Sequence, residues 1–161
     1  MAESKNIVDS YLLLEKKINP ILEAKFVKLK KVKQIDILFH ELHDEAFEKI
    51  NCLDCANCCK SISPGVSSID IERLAKFLKI KPSKLVEMYF ELDDDDEYVF
   101  RTAPCPFLGI DNYCSVYSAR PRACREYPHT DRKKMNQILT LTKKNVEICP
   151  AVYYIIEKIN L

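Results

Sequence analysis

Glycine is nearly missing from this chain, which has two glycines and no tryptophan among 161 residues. Folds that cradle a nucleotide phosphate need a glycine-rich loop that lets the backbone approach the ligand closely. No such loop exists here, which argues against a dinucleotide-binding or S-adenosylmethionine-binding fold. The run Asp93–Asp96 also lacks the spaced ligands and the glycine of a loop that binds Ca²⁺ or Mg²⁺. We therefore predict a solvated loop at these aspartates.

Long apolar stretches and an excess of one charge are also absent. No apolar stretch approaches the roughly 20 residues that a membrane span needs. The N-terminal segment has acidic residues throughout and one lysine before a short apolar patch, which is unlike a signal peptide. With 25 basic and 24 acidic side chains, the net charge is +1, so no general field attracts nucleic acid or an anionic membrane. We expect a cytoplasmic protein that uses neither partner.

The length and the apolar spacing indicate one small domain that is mainly helical. An apolar fraction of 47% suits a globular core, and 161 residues fall within the usual size of one domain. Capping signals predict helix starts at Asn19-Pro20, at Ser67 with Asp70, and at Pro82. The helix from Pro82 is predicted to carry Leu85, Tyr89 and Phe90 inward. We predict a single domain over 1–161, with leading helices in 1–50, a cysteine motif region in 51–150 and a C-terminal helix in 151–161.

One short β-hairpin completes the predicted fold. The segment from Leu108 to Val116 is predicted to be a hairpin that turns at Asp111-Asn112. A short strand is also predicted from Glu97 to Arg101. The predicted fold class is therefore a small, mainly α, cysteine-rich domain that metal holds together.

Cysteine is the one abundant and unusual residue type. The eight cysteines are Cys52, Cys55, Cys58, Cys59, Cys105, Cys114, Cys124 and Cys149, and the first four form the run CLDCANCC. Disulfides rarely persist in the cytosol, and buried free thiols seldom cluster so tightly, so the pattern indicates metal binding. We predict that all eight thiols are metal ligands.

The spacing of the first cysteines resembles that of iron–sulfur proteins but leaves zinc open. Cys52, Cys55 and Cys58 follow the C-x2-C-x2-C register of bacterial ferredoxins, in which a further cysteine before a proline also takes part. Cys105 and Cys149 both precede prolines. Eight thiols would equally serve two tetrahedral zinc sites. An iron–sulfur cluster is the favoured cofactor, and zinc is the alternative.

The partition of ligands stays open at this point. One arrangement joins Cys52, Cys55 and Cys58 to a remote cysteine and leaves Cys59 with the others. Remote ligands are brought together only by the fold, so spacing does not decide between arrangements. Near the later cysteines, Arg120, Arg122 and Arg125 are predicted to donate to sulfur and to offset the charge of the thiolates, with Arg120 and Arg125 as the principal candidates.

These residues together resemble a known family. CLDCANCC at 52–59, CPFLGIDNYCSVYSARPRACREYP at 105–128 and the late Cys149-Pro150 are similar to the zinc- or iron-chelating cysteine-cluster proteins of the YkgJ type, and they cover about residues 50–150. The resemblance implies cysteine-bound zinc or iron. It also implies an iron–sulfur oxidoreductase or, through a more distant similarity to flagellin lysine methylases, a component of a modification enzyme.

Two function classes follow. The first is an iron–sulfur protein with a redox or radical role and an unidentified redox partner. The second is a zinc-bound structural or interaction domain, or a metal-trafficking protein, without enzymatic activity. Histidines are secondary candidates: His129 follows the matched motif, and His40 and His43 share a helix face. Tyr117 and Tyr127 are predicted to pack around the site.

Overall fold

The structure is a computed structural model that describes residues 2–15 and 17–161. The helices are α1 Ala2–Leu12, α2 Pro20–Leu29, α3 Ile35–Lys49, α4 Asn57–Ser61, α5 Ser68–Leu78, α6 Pro82–Tyr89, α7 Arg122–Glu126, α8 Leu139–Val146 and α9 Pro150–Lys158. The strands are β1 Phe90–Leu92 and β2 Tyr98–Phe100, and 3-10 turns cover Cys52–Asp54, Tyr117–Ala119 and Met135–Ile138. The prediction of a mainly α fold with one short hairpin is confirmed for the described residues.

The chain divides into two compact units. Met1–Cys55 and Pro128–Leu161 form the terminal unit, and Ala56–Tyr127 forms the central unit. Each unit has its own apolar core. Two compact units are compatible with one domain, so the single-domain assignment of 1–161 stays a prediction.

The terminal unit is helical, and α9 is its central element. This helix contacts α1, α2, α3 and α8, and Val152, Ile155 and Ile156 are fully buried along it. Its first residue is Pro150, whose missing N–H costs nothing at a helix start. The C-terminal helix that the sequence predicts is therefore present.

Local capping chemistry sets the other predicted helix starts. Asn19 Oδ1 accepts the Leu22 N–H at 3.0 Å, which satisfies one of the unpaired donors at the start of α2. At α5, Ser67 and Asp70 exchange hydrogen bonds as a capping box: Ser67 Oγ accepts the Asp70 N–H, and Asp70 accepts the Ser67 N–H. Both predicted caps are confirmed.

The hairpin of the central unit lies elsewhere than the sequence predicts. Phe90 pairs with Phe100 in an antiparallel register, and Asp93–Asp96 form its exposed turn. The predicted strand near residue 98 is present, but its partner begins at Phe90, which had been expected on a helix. The two phenylalanine rings lie 4.8 Å apart in the core, so side-chain packing favours this pairing.

The predicted hairpin at 108–116 is reduced to one bridge. Leu108 and Cys114 form an isolated antiparallel bridge. The Leu108 N–H donates to the Cys105 carbonyl and the Tyr117 N–H donates to the Cys114 carbonyl, so a tight turn flanks this segment at each end. In the described part of the chain, no helix combines the length and apolar character needed to cross a membrane.

Candidate metal-binding site

Four cysteines of the central unit lie within electrostatic reach of one another. We call Cys59, Cys105, Cys114 and Cys124 the central thiol group. Negative charge at Cys59 raises the pKa of each of the other three, and Cys105 and Cys114 raise that of Cys124. Cys59 is far from the other three in the sequence, so the fold brings it to them.

Backbone hydrogen bonds fix three of these thiols in place. The Cys105 N–H donates to the Cys59 carbonyl at 2.8 Å, which joins the segment before Pro106 to helix α4. The bridge between Leu108 and Cys114 then returns the chain toward Cys105. The proximity of these cysteines therefore rests on main-chain contacts.

Helix α7 carries the fourth thiol, Cys124, and a buried carboxylate fixes the start of this helix. Asp70 is 3% exposed, and its Oδ1 accepts the Arg122 N–H at 3.0 Å. The Arg73 guanidinium donates to the same carboxylate and to the Arg120 carbonyl, the latter at 2.7 Å. Asp70 and Arg73 thereby hold residues 120–122 beside α5.

These two residues were not recognised as site residues from the sequence. The sequence predicts Asp70 only as a capping residue and assigns no role to Arg73. The spacing of an Asp three residues before an Arg on a helix indicates an ion pair, but nothing in the sequence indicates that the pair also binds the backbone near Arg120. Only the fold brings those segments together.

Burial keeps most of the central thiols protonated. Desolvation raises the pKa of Cys105 to about 11 and that of Cys124 to about 12, and it also raises the pKa of Cys114. The Phe107 N–H bonds to Cys105 and the Val116 N–H bonds to Cys114, and both bonds oppose this shift. Such N–H donors stabilise a thiolate once one forms.

Cys59 differs from its neighbours. A hydrogen bond with Cys58, whose sulfur lies 3.9 Å from that of Cys59, lowers the pKa of Cys59 to about 7 against the opposing effect of burial. The positive charges of Arg120 and Lys60 lower it further. Cys59 is therefore the central thiol that most readily becomes a thiolate near neutral pH.

The three candidate arginines have different surroundings. The Arg120 guanidinium stacks on the Tyr117 ring, 3.7 Å from its centroid. Its charge helps to lower the pKa of Cys59 and opposes the rise in pKa at Cys114 and Cys124. Arg122 instead pairs with Glu126 through an exposed side chain at 2.6 Å. The Arg125 side chain is exposed on α7, and its action on sulfur stays a prediction.

A second group of thiols lies in the terminal unit. We call Cys52, Cys55 and Cys149 the terminal thiol group. The Cys55 N–H donates to the Cys52 carbonyl at 3.1 Å, which makes one tight turn. Burial raises the pKa of Cys149 to about 12, N–H groups of Val152 and Ala151 oppose the shift, and charge at Cys52 and Cys55 adds to it. Cys149 is thus within electrostatic reach of both.

One predicted arrangement joins Cys52, Cys55 and Cys58 to a remote cysteine and leaves Cys59 with the others. Cys149 is the remote cysteine beside Cys52 and Cys55, whereas Cys105 lies with Cys59. Cys58 belongs to the central unit, next to Cys59. Its assignment as a metal ligand stays a prediction, as do those of the other seven.

The donor set fits zinc and iron, although the sulfur atoms have not converged on a point. Within residues 2–15 and 17–161, no three Cys, His, Asp or Glu side chains are already arranged to hold a metal ion. Rotation about one Cα–Cβ bond moves a sulfur by about 3 Å between rotamers. Thiolates are the preferred ligands of structural zinc and of iron–sulfur clusters, so neighbouring thiols can supply either centre.

The histidines at 40 and 43 contribute to the fold of the terminal unit. His40 Nε2 bonds to the Arg132 carbonyl at 3.0 Å, and His43 Nδ1 bonds to Thr130 Oγ1 at 2.7 Å. His129 lies in the adjoining loop with a positive φ of 66°. In the central unit, Tyr117 stacks on Tyr113 with ring centroids 5.6 Å apart.

Comparison with known protein families gives a match. A family model described as "CxxCxxCC: Putative zinc- or iron-chelating domain" matches residues 51–150. The matched range contains all eight cysteines and leaves out α1, α2 and α3. Searches of curated proteins and of solved structures gave no match.

Replacing Asp70 tests its role in holding the central unit. Burial raises the pKa of this carboxyl, but hydrogen bonds from Ser67, Arg73 and the Arg122 N–H outweigh burial and hold it below its ordinary value. Its contribution to stability is therefore present above about pH 4, the unfolded pKa, and is lost as pH falls through the folded pKa. We expect Asp70→Asn to lower the unfolding free energy by about 2 to 3 kcal/mol at pH 7.

Thermal unfolding between about pH 2.5 and pH 7 measures this effect. Asp94→Asn, in the exposed turn of the hairpin, is the matched control. The loss of stability in acid should be smaller in Asp70→Asn than in the control, because the variant has no carboxylate to protonate. Identical pH profiles for the two variants would contradict the assignment.

Proposed function

Because the chain belongs to the CxxCxxCC family of zinc- or iron-chelating domains, we propose that its cysteines hold iron–sulfur clusters that serve redox or radical chemistry in the cytoplasm. The observation that carries this proposal is the central thiol group, in which four cysteines from distant parts of the sequence interact. Four thiolates complete the ligand set of a cluster.

We assign the ligands in two sets. Cys59, Cys105, Cys114 and Cys124 bind one centre. Cys52, Cys55 and Cys149 contribute to a second centre, and Cys58 is also assigned as a metal ligand. This assignment is supported by the mutual electrostatic influence within each thiol group. It also assigns all eight cysteines as metal ligands.

The register of the first cysteines favours iron–sulfur over zinc, and the surroundings of the sulfurs suit a cluster. The C-x2-C-x2-C register is that of iron–sulfur proteins. N–H groups of Phe107 and Val116 point at Cys105 and Cys114, and hydrogen bonds to sulfur are one means by which proteins tune cluster potentials. Arg120 adds positive charge nearby. A bound cluster would supply one-electron transfer, while these groups would orient and stabilise its thiolate ligands.

Metal trafficking is the second candidate, and two observations favour it. Cys52 is exposed, and Cys59 has a pKa of about 7. Exchange of metal between proteins requires thiols that are accessible and easily deprotonated. Under this alternative, zinc would pass through the chain to an acceptor protein, and no electron transfer would occur.

Anaerobic purification without added metal separates these functions. We expect brown protein that contains iron and acid-labile sulfide, because thiolate-to-iron charge transfer absorbs visible light. The measurements are the ultraviolet–visible spectrum and the contents of iron, zinc and sulfide per chain. Colourless protein with stoichiometric zinc and no sulfide would contradict the iron–sulfur proposal and leave the second candidate.

Single cysteine substitutions test the partition. Cys55→Ser should remove the metal of the terminal thiol group and keep that of the central group, whereas Cys114→Ser should do the reverse. Each variant serves as the control for the other, and circular dichroism verifies folding. Metal per chain and thermal stability should fall together, because bound metal stabilises the folded state. Loss of all metal in both variants would contradict two separate centres.

Zinc binding to the central thiol group should release protons. Near pH 7, Cys105 and Cys124 are protonated, because their pKa values are about 11 and 12. The pKa of Cys114 is also raised. Cys59, with a pKa of about 7, is close to half protonated. All four must lose their protons on binding, so about three to four protons leave per zinc and affinity rises with pH.

Calorimetry of Cys55→Ser in buffers with different ionisation enthalpies counts these protons. The variant isolates the central group, because its terminal group is disabled. Release of one proton or fewer per zinc would show that these four thiols are not the ligands.

A further inference from the structure

Helix α1 lies outside the family-matched residues, yet it binds both segments that carry the terminal thiol group. Ser4 is 5% exposed, and its Oγ accepts the N–H of Asn51, the residue before Cys52, at 2.8 Å. Seven residues later, the Tyr11 hydroxyl donates to the Val146 carbonyl at 3.0 Å. Two buried side chains on one helix therefore hold two distant segments of the chain.

The bond from Tyr11 fixes the end of the helix that precedes Cys149. Val146 is the last residue of α8, so its carbonyl lacks a partner within that helix. The chain then turns tightly, and the Cys149 N–H donates to the Asn145 carbonyl at 2.8 Å. Anchoring Val146 thus limits where Cys149 can lie.

Tyr11 is also close to the thiols themselves. Burial raises the pKa of its hydroxyl, and negative charge at Cys149 and Cys55 raises it further. Its ring meets that of Tyr153, on α9, edge to face at 5.6 Å. Val8, on the same helix, belongs to the core cluster that includes Cys55 and against which Cys149 packs. Helix α1 therefore covers the terminal thiol group from the side of the core.

We propose that α1 is a clamp for the terminal metal centre, in which Ser4 and Tyr11 are positioning residues that hold Cys52 and Cys149 near Cys55. This inference rests on the proposed function, because it takes the terminal thiol group as a metal site. It adds that the centre requires a helix that the family match does not include. A chain that begins after α1 would bind metal at the central thiol group but hold it weakly at the terminal one.

A purely structural role for α1 predicts a different result. In that case Tyr11 would act like any buried tyrosine of the same core. Tyr154 is the matched comparison, because it is 8% exposed in the same core cluster and its hydroxyl donates to Glu45 at 2.7 Å. The Tyr154 hydroxyl bonds to Glu45 and Lys49, both on α3, so its loss should change stability without changing metal release.

The test measures how fast zinc leaves the full-length chain. Zinc-loaded wild type, Tyr11→Phe, Ser4→Ala and Tyr154→Phe are mixed with a chromogenic chelator under anaerobic conditions. The phase of zinc release that is missing in Cys55→Ser is the one that comes from the terminal thiol group. We expect this phase to be about tenfold faster in Tyr11→Phe and Ser4→Ala, and unchanged in Tyr154→Phe. Equal rates in Tyr11→Phe, Ser4→Ala and Tyr154→Phe would overturn the clamp.

A double variant ties the effect to the thiols. In the Cys55→Ser background, Tyr11→Phe should not change the remaining release, because the centre on which it acts is gone. A further acceleration there would show that Tyr11 acts on the whole fold, and would overturn the inference. Should Tyr11→Phe fail to fold, Ser4→Ala carries the same test. If the wild type retains zinc and all three variants release it at the wild-type rate, the clamp alone is overturned. If the wild type retains neither zinc nor iron, the proposed function is overturned, and the clamp with it.

Discussion

The rest of the structure depends on one constraint: the fold brings buried thiols close together, where desolvation and repulsion between thiolates both disfavour their ionisation. A buried thiol resists ionisation, and each neighbouring thiolate makes it resist more. Cys124 experiences both effects, with a pKa near 12. Such a group is stable as a set of neutral thiols, and a cation that binds the thiolates removes the repulsion. The protein is therefore arranged so that metal binding and ionisation of the thiols occur together.

Both thiol groups rely on hydrogen bonds made by residues that are not ligands. In the central unit, Asp70 and Arg73 bind the backbone around Arg120, ahead of the helix that carries Cys124. In the terminal unit, Ser4 and Tyr11 bind the backbone ahead of Cys52 and Cys149. In each case buried or half-buried polar side chains pair with backbone groups that would otherwise lack partners. Precise placement of a thiol thus depends on segments far from it in the sequence.

Local signals in the sequence were sufficient for most of the secondary structure. Asn19 and Ser67 begin helices because their side chains accept the first free N–H groups, and such bonds involve residues only three apart. The hairpin was located incorrectly because its partner strands are chosen by packing. Phe90 was compatible with a helix and with a strand, and the contact with Phe100 places it in a strand.

The sequence by itself determined the donor chemistry: eight thiols, four of them in one short run, with a spacing typical of metal ligands. It also determined the mainly helical character, because caps and apolar periodicity are local properties. Only the tertiary structure decided which distant thiols are neighbours, that Cys149 lies with Cys52 and Cys55, and that Asp70, Arg73, Ser4 and Tyr11 support them. The reason is physical: these relations depend on burial and on contacts between residues far apart along the chain, for which no local pattern exists.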